Sequence, residues 1–143
     1  MDRVIKFRGI AEYGDLSGKW VYGSLVYDYD METFISVSGY SHTGSAFSGC
    51  YKVLPKTIGQ LTGMYDKNGK EIYESDVLRV YDGKEYFNII VKWSKEAMAF
   101  MAFYCDGNQS PLSWFSNLLS KTHEIEVIGN IYDNLELLKG GNI

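Results

Sequence analysis

The chain has 143 residues, 15% of them aromatic with 12 Tyr, 15 Gly and 2 Pro, and a formal charge of −4. Its length suits one domain, or two small subdomains sharing a core, and needs no disulfides to bury that core. A charged fraction of 22% argues against disorder, the lack of an 18-residue apolar run excludes a transmembrane helix, and two cysteines cannot make a disulfide framework.

The start, Met1-Asp2-Arg3-Val4-Ile5-Lys6-Phe7-Arg8, lacks the long apolar stretch of a signal peptide. A cytoplasmic protein with free thiols is expected. Charge is uneven: residues 1–58 carry six basic and six acidic side chains, whereas 59–143 carry eight and twelve. The acidic second part repels phosphate, so a basic binding face is expected on the first.

Taken in chain order, the apolar pattern mostly has period two. In Val4–Arg8, Ile5 and Phe7 share one face and Lys6 and Arg8 the other. Trp20, Tyr22 and Val26 alternate across Lys19–Tyr27 and are assigned to the core. Short strands also fit Thr33–Val37, Tyr51–Leu54 and Val77–Tyr81. Ser38–Gly49 is the longest Ser/Gly-rich stretch and reads as a mobile loop.

Asp66-Lys67-Asn68-Gly69-Lys70 reads as a hairpin turn, because Asn-Gly supplies positive φ angles. Asp76, just before Val77, is placed where its carboxylate can accept from nearby backbone N–H groups. Tyr81-Asp82-Gly83-Lys84 predicts a second hairpin. Phe87, Ile89, Val91 and Trp93 mark the buried face of a strand over Glu85–Trp93. Ala97–Tyr104 is apolar on both faces and reads as a buried strand, with Cys105 as a small buried hydrophobe at its end.

Pro111–Lys121 has helical spacing, with Ser110 as N-cap and Pro111 at the first helical position. Ile125, Val127 and Ile131 alternate around Gly129 as a last strand. Leu135–Lys139 predicts a helical turn ended by Gly140.

The motifs that carry chemistry are weak. Asp66–Glu71 fails the calcium-loop spacing, with Gly69 at position 4 and Val77 at position 12. Cys50, Cys105, His42 and His123 are scattered and show no zinc-ligand spacing. His42 beside Ser41 and Thr43 is adjacency in sequence, not a catalytic triad. Glu74 and Asp76 would share a strand face, but a turn role fits them better than glycoside hydrolysis. Neither a nucleophile elbow nor a phosphate-binding loop is present. No cofactor or metal is expected.

Three stretches do carry a resemblance. They are Ile5-Lys6-Phe7-Arg8-Gly9 with Trp20-Val21-Tyr22-Gly23-Ser24-Leu25, then Thr57–Arg79 around Gly63-Met64-Tyr65-Asp66-Lys67-Asn68-Gly69-Lys70-Glu71-Ile72-Tyr73-Glu74-Ser75-Asp76, and Glu126-Val127-Ile128-Gly129-Asn130-Ile131-Tyr132-Asp133-Asn134 running on to Leu138. Together they resemble the YopX family, in family order over nearly the whole chain. The family usually has Gly where Ser75 stands and Pro where Leu135 stands. The resemblance implies a small β-rich protein encoded by phages or prophages of Gram-positive bacteria. It carries over no catalytic residue.

The expected fold is mainly β: a small N-terminal antiparallel sheet over 1–58, then a hairpin and an SH3-like barrel over 59–143, with one or two short helices. The expected function is a non-enzymatic phage accessory protein that binds a protein partner or itself. The alternative is nucleic-acid binding in phage replication or regulation, through Lys6, Arg8 and Lys92. An enzyme is disfavoured because no base sits near a nucleophile.

Overall fold

Alternating Val, Ile, Tyr and Phe, punctuated by Gly and Asp turns, produce a mainly β chain in the computed structural model, which describes residues 2–40, 46–118 and 124–139. The chain divides into two units, Met1–Leu61 and Thr62–Ile143, and the division falls inside a strand.

The first unit holds β1 (Phe7–Ile10), β2 (Trp20–Tyr27), β3 (Thr33–Tyr40) and β4 (Ala46–Lys52), then the start of β5 (Gly59–Tyr65). Strand order is β4-β3-β2-β1-β5. Each strand is antiparallel to its neighbour, with Arg8 opposite Tyr22 and Leu25 opposite Ile35. Ala11 bridges Val53, and the Leu54 N–H donates to the Ile10 carbonyl at 2.9 Å. The core is Ala11, Val21, Ile35 and Val53, with Phe7, Leu16, Leu25, Val37, Tyr51 and Ile58 against it.

Two expectations change here. The core face of β2 is Val21 and Leu25, whereas Tyr22 and Val26 are exposed and Trp20 is half-buried. Both faces of β2 are apolar, so alternation alone could not choose between them, and the larger rings lie on the outer face. Ser38–Gly49 is largely strand: Ser38 pairs with Ser48 and Val37 with Gly49. Its tip, 41–45, lies outside the described residues, as do His42 and His123.

A 3₁₀ turn, Pro55–Thr57, ends the unit's last crossing. The buried Thr57 hydroxyl accepts from the Ile10 N–H at 2.9 Å and donates to the Leu54 carbonyl at 2.7 Å. Thr57 therefore serves a structural purpose. Replacing it with Val keeps the shape and removes the acceptor for the Ile10 N–H, while the Leu54 carbonyl keeps its bond from the backbone N–H of residue 57; a loss of about 1–3 kcal/mol in denaturant titration is expected.

The second unit takes the rest of β5, which pairs with β6 (Glu71–Tyr73), and an open sheet of β7 (Asp76–Tyr81), β8 (Tyr86–Ser94), β9 (Ala99–Phe103), β10 (Gln109–Pro111) and β11 (Glu124–Asn130). Its order is β10-β9-β8-β7-β11, antiparallel throughout. No pairing of β10 with β11 closes a barrel among the described residues. Ile72, Leu78, Val80, Ile89, Val91, Ala102, Leu112, Phe115 and Ile125 form the core.

Ala97–Tyr104 does contain a strand, β9, and the Asp82 turn forms as expected: Asp82 Oδ1 accepts from the N–H groups of Lys84 and Glu85. Trp93 shares the core face of β8 yet is 47% exposed, because it stands near the strand end and packs edge-on against Phe100. Cys105 is exposed rather than buried, since β9 stops at Phe103 and the chain turns there. Ser110 and Pro111 do not start a helix but form β10 against β9, and the Ser110 hydroxyl lies 2.9 Å from that of Tyr104. The helix α1 spans Ser113–Leu118, and 119–121 lie outside the described residues. A final helical turn, α2, spans Glu136–Lys139, and Gly140 is likewise outside.

Candidate functional site

The three residues singled out for binding separate into two settings. Lys6 and Arg8 belong to the first unit. Arg8 is only 5% exposed, and its guanidinium carbon lies 4.5 Å from the centre of the Trp20 ring. That is a buried cation–π contact, which holds β1 to β2 and leaves little of the charge to a ligand. Lys6 lies 5.9 Å from the Tyr22 ring, and Tyr22 is exposed. Lys92 belongs to the second unit, on β8, exposed and 4.9 Å from the Phe103 ring.

The acidic residues of the chain's central motif are occupied with backbone. Asp66 Oδ1 accepts from the N–H groups of Asn68 and Lys70, and Oδ2 from Val127 at 3.0 Å. Burial pushes the carboxyl up, but the three N–H donors, with Lys70, outweigh it and hold it below its ordinary value. Lys67 Nζ stands 3.4 Å from Glu124 and 3.7 Å from Glu126, so its ammonium adds two ion pairs to the backbone bonds that tie the turn to β11. Asp76 is buried and accepts from the Tyr73 N–H at 2.8 Å, while Glu71 accepts from the Tyr73 hydroxyl.

Ser75, between them, has φ of 71°, a conformation that favours glycine. Its N–H donates to the Val91 carbonyl and its own carbonyl accepts from Ile131. Ser75→Gly removes about 1–2 kcal/mol of strain and adds about 0.5–1 kcal/mol of unfolded-state entropy. A small net stabilisation is expected, read as a raised denaturant midpoint.

The C-terminal motif is a self-bonded turn. Asn130 Oδ1 accepts from the N–H groups of Tyr132 and Asp133, and its amide donates to Asp133. Asn134 Oδ1 accepts from the Asn130 N–H. A Cβ at Gly129 would overlap the Asn134 side chain, so any larger residue must push that amide off the Asn130 N–H. The strand slips register between Val127 and Gly129 to reach this turn.

Among the described residues each unit has an apolar depression. In the first unit a groove of about 370 Å³ is lined by Leu16, Trp20, Val21, Tyr22, Val37 and Tyr51 among others. In the second, a groove of about 230 Å³ is lined by Thr62, Met64, Phe100, Pro111 and Leu112 among others. Trp93, Met98 and Trp114 stand exposed on β8, the β8–β9 turn and α1, the elements beside that second groove. Alternation had hidden Trp93 in the core and gave no sign of the other two. No group of three or more His, Cys, Asp or Glu side chains suited to a metal exists among the described residues. Among those residues no helix is long and apolar enough to cross a membrane.

The described features define a small, two-unit β-rich protein whose signature motifs build turns. The chain belongs to the YopX protein family, whose sequence pattern matches residues 6–139. A crystal structure of protein EF1440 from Enterococcus faecalis is similar at 25% identity with a TM-score of 0.62, covering 96% of this chain and 100% of that one. The crystal structure of protein YopX from Bacillus subtilis is similar in fold, at 18% identity with a TM-score of 0.54, covering 94% of this chain and 98% of that one. The chain matches no curated protein.

Proposed function

We propose that this YopX-family protein is a non-enzymatic interaction module, made by a phage or prophage in the cytoplasm of its bacterial host, that binds a protein partner or itself. The observation that carries this reading is the set of large side chains left in water: Trp93, Met98 and Trp114 in the second unit, and Tyr27, Tyr29 and Met31 in the first. Aromatic and Met side chains are the residues that anchor interfaces, since burying them against a partner releases apolar surface. The carboxylates of the central motif support it too, because Asp66 and Asp76 accept from backbone N–H groups. An SH3-like character of the second unit belongs to the same reading. Its support is the meander β7-β8-β9-β10, with the last strand, β11, returning beside the first.

The test is cross-linked affinity purification from lysogenic cells, paired with light scattering. A specific partner, or a mass above the monomer, is the expected result. A monomer that recovers no partner would overturn the reading.

Nucleic-acid binding is the second reading, supported by a lysine held against an aromatic ring in each unit: Lys6 by Tyr22 and Lys92 by Phe103. It predicts a gel shift at low salt that Lys6→Ala weakens and that added salt abolishes. No shift with single- or double-stranded probes removes it.

A further inference from the structure

The turn between β2 and β3 presents aromatic side chains to solvent on a fixed backbone. Tyr29 is 100% exposed, Met31 is 69% exposed and Tyr27 is 52% exposed. The backbone beneath is closed on itself: the Asp28 N–H donates to the Glu32 carbonyl and the Met31 N–H to the Asp28 carbonyl, each at 3.1 Å. Asp28 Oδ1 accepts from the N–H groups of Asp30 and Glu32 at 3.0 and 2.8 Å. Glu32 is paired with Lys52 at 2.7 Å. Asp30 is the remaining carboxylate, and it makes no ion pair among the described residues.

We infer that Tyr27, Tyr29 and Met31, with Asp30 beside them, are the docking surface for a basic peptide segment of another protein, one carrying Lys or Arg next to apolar side chains. This rests on the interaction reading above and names the surface and the partner chemistry. Charge complementarity selects that partner. A cation stacks on a tyrosine ring and pairs with the adjacent carboxylate, and apolar neighbours cover the rest of the rings and Met31. Asp28 and Asp30, whose charge no cation at the tip neutralises, repel the phosphates of nucleic acid and of an anionic membrane. A hairpin tip also offers much less than the roughly 800 Å² per partner of a standard interface, so a short segment fits it better than a domain face. Because the tip is ordered by its own hydrogen bonds, little entropy is lost on binding.

The experiment pans a displayed library of random dodecapeptides on the full-length protein. The recovered peptides are then titrated against wild type, Tyr29→Ala, Asp30→Lys and Trp93→Ala. Peptides rich in Lys or Arg should be enriched, and their affinity should fall about tenfold or more with either tip substitution. Trp93→Ala should leave it unchanged. Tyr29 is fully exposed, so an unchanged thermal midpoint is expected and confirms that the variant is folded. Enriched peptides without cationic side chains, no enrichment at all, or equal affinity for Tyr29→Ala would each overturn the inference. Affinity lost through Trp93→Ala and not through Tyr29→Ala would overturn it while leaving the interaction reading intact.

Discussion

Gly23→Ala is expected to destabilise the first unit by about 3 kcal/mol, at the upper end of what overpacking costs. A Cβ on Gly23 would overlap the backbone carbonyl oxygen of Ser36 and lie 3.0 Å from its carbon. The obstacle is backbone of the neighbouring strand, so no rotamer change relieves it. The β2–β3 pairing next to it, Ser24 with Ser36, must open or shift. Thermal unfolding checks this: for a chain of this size each kcal/mol moves the midpoint by roughly 2–8 °C. Gly18→Ala is the control. Gly18 has φ of 79° with nothing within 4 Å of an added Cβ, so only the left-handed conformation is penalised, at about 1–2 kcal/mol. A Gly23→Ala variant no less stable than Gly18→Ala would disprove the close approach.

Asp66→Asn is the second large effect. The carboxylate takes three backbone N–H donors, from Asn68, Lys70 and Val127, at a site 7% exposed. An amide of the same shape must turn its NH₂ toward one of those donors and loses the charge that strengthens the other bonds. A cost of about 2–4 kcal/mol at neutral pH follows. The pH dependence has a definite sign. The folded carboxyl titrates below its ordinary value, so its contribution is full above an unfolded pKa near 3.9. It is lost as pH falls through the lower, folded value. Wild type and Asp66→Asn should therefore converge in stability as pH is lowered below about 4. A gap that stays constant across that range would show that the carboxylate's charge is irrelevant to the turn.

Both positions lie in stretches that carry the family resemblance, and both act on the fold. Asp66 and Asp76 were legible as turn residues, because Asp beside Asn-Gly, or just before a strand, has a local partner two to four residues away. The third donor to Asp66, Val127, was not legible, since it arrives from 61 residues along the chain. Glycine at 23 gave no signal of its own, because the oxygen it must avoid belongs to β3.

The candidate surfaces were harder to read than the strands. Arg8 was placed on an outward face, and β1 does put it opposite Tyr22, away from the core. Its burial comes from the flanking Trp20 ring, which alternation had assigned to the interior. Trp93 was misplaced for the opposite reason: period two continues to the end of β8, but cover does not. The Ser-rich arms of the β3–β4 hairpin looked like a loop, because strand faces that meet water need no apolar side chains.

The amino-acid sequence by itself settled the β character, the positions of most strands and tight turns, and membership of the YopX family, because each depends on local periodicity, backbone preference or motif spacing. Only the tertiary structure decided which face of β2 is core, that Cys105 and Trp93 meet solvent, and that Ser110 and Pro111 pair in a strand. Those outcomes depend on what packs across from each residue, and partners distant along the chain leave no trace in local spacing. The −4 counted at the outset belongs to the second part of the chain, whereas the first unit, balanced in charge overall, places exposed tyrosines beside the unpaired Asp30 at the tip of one hairpin.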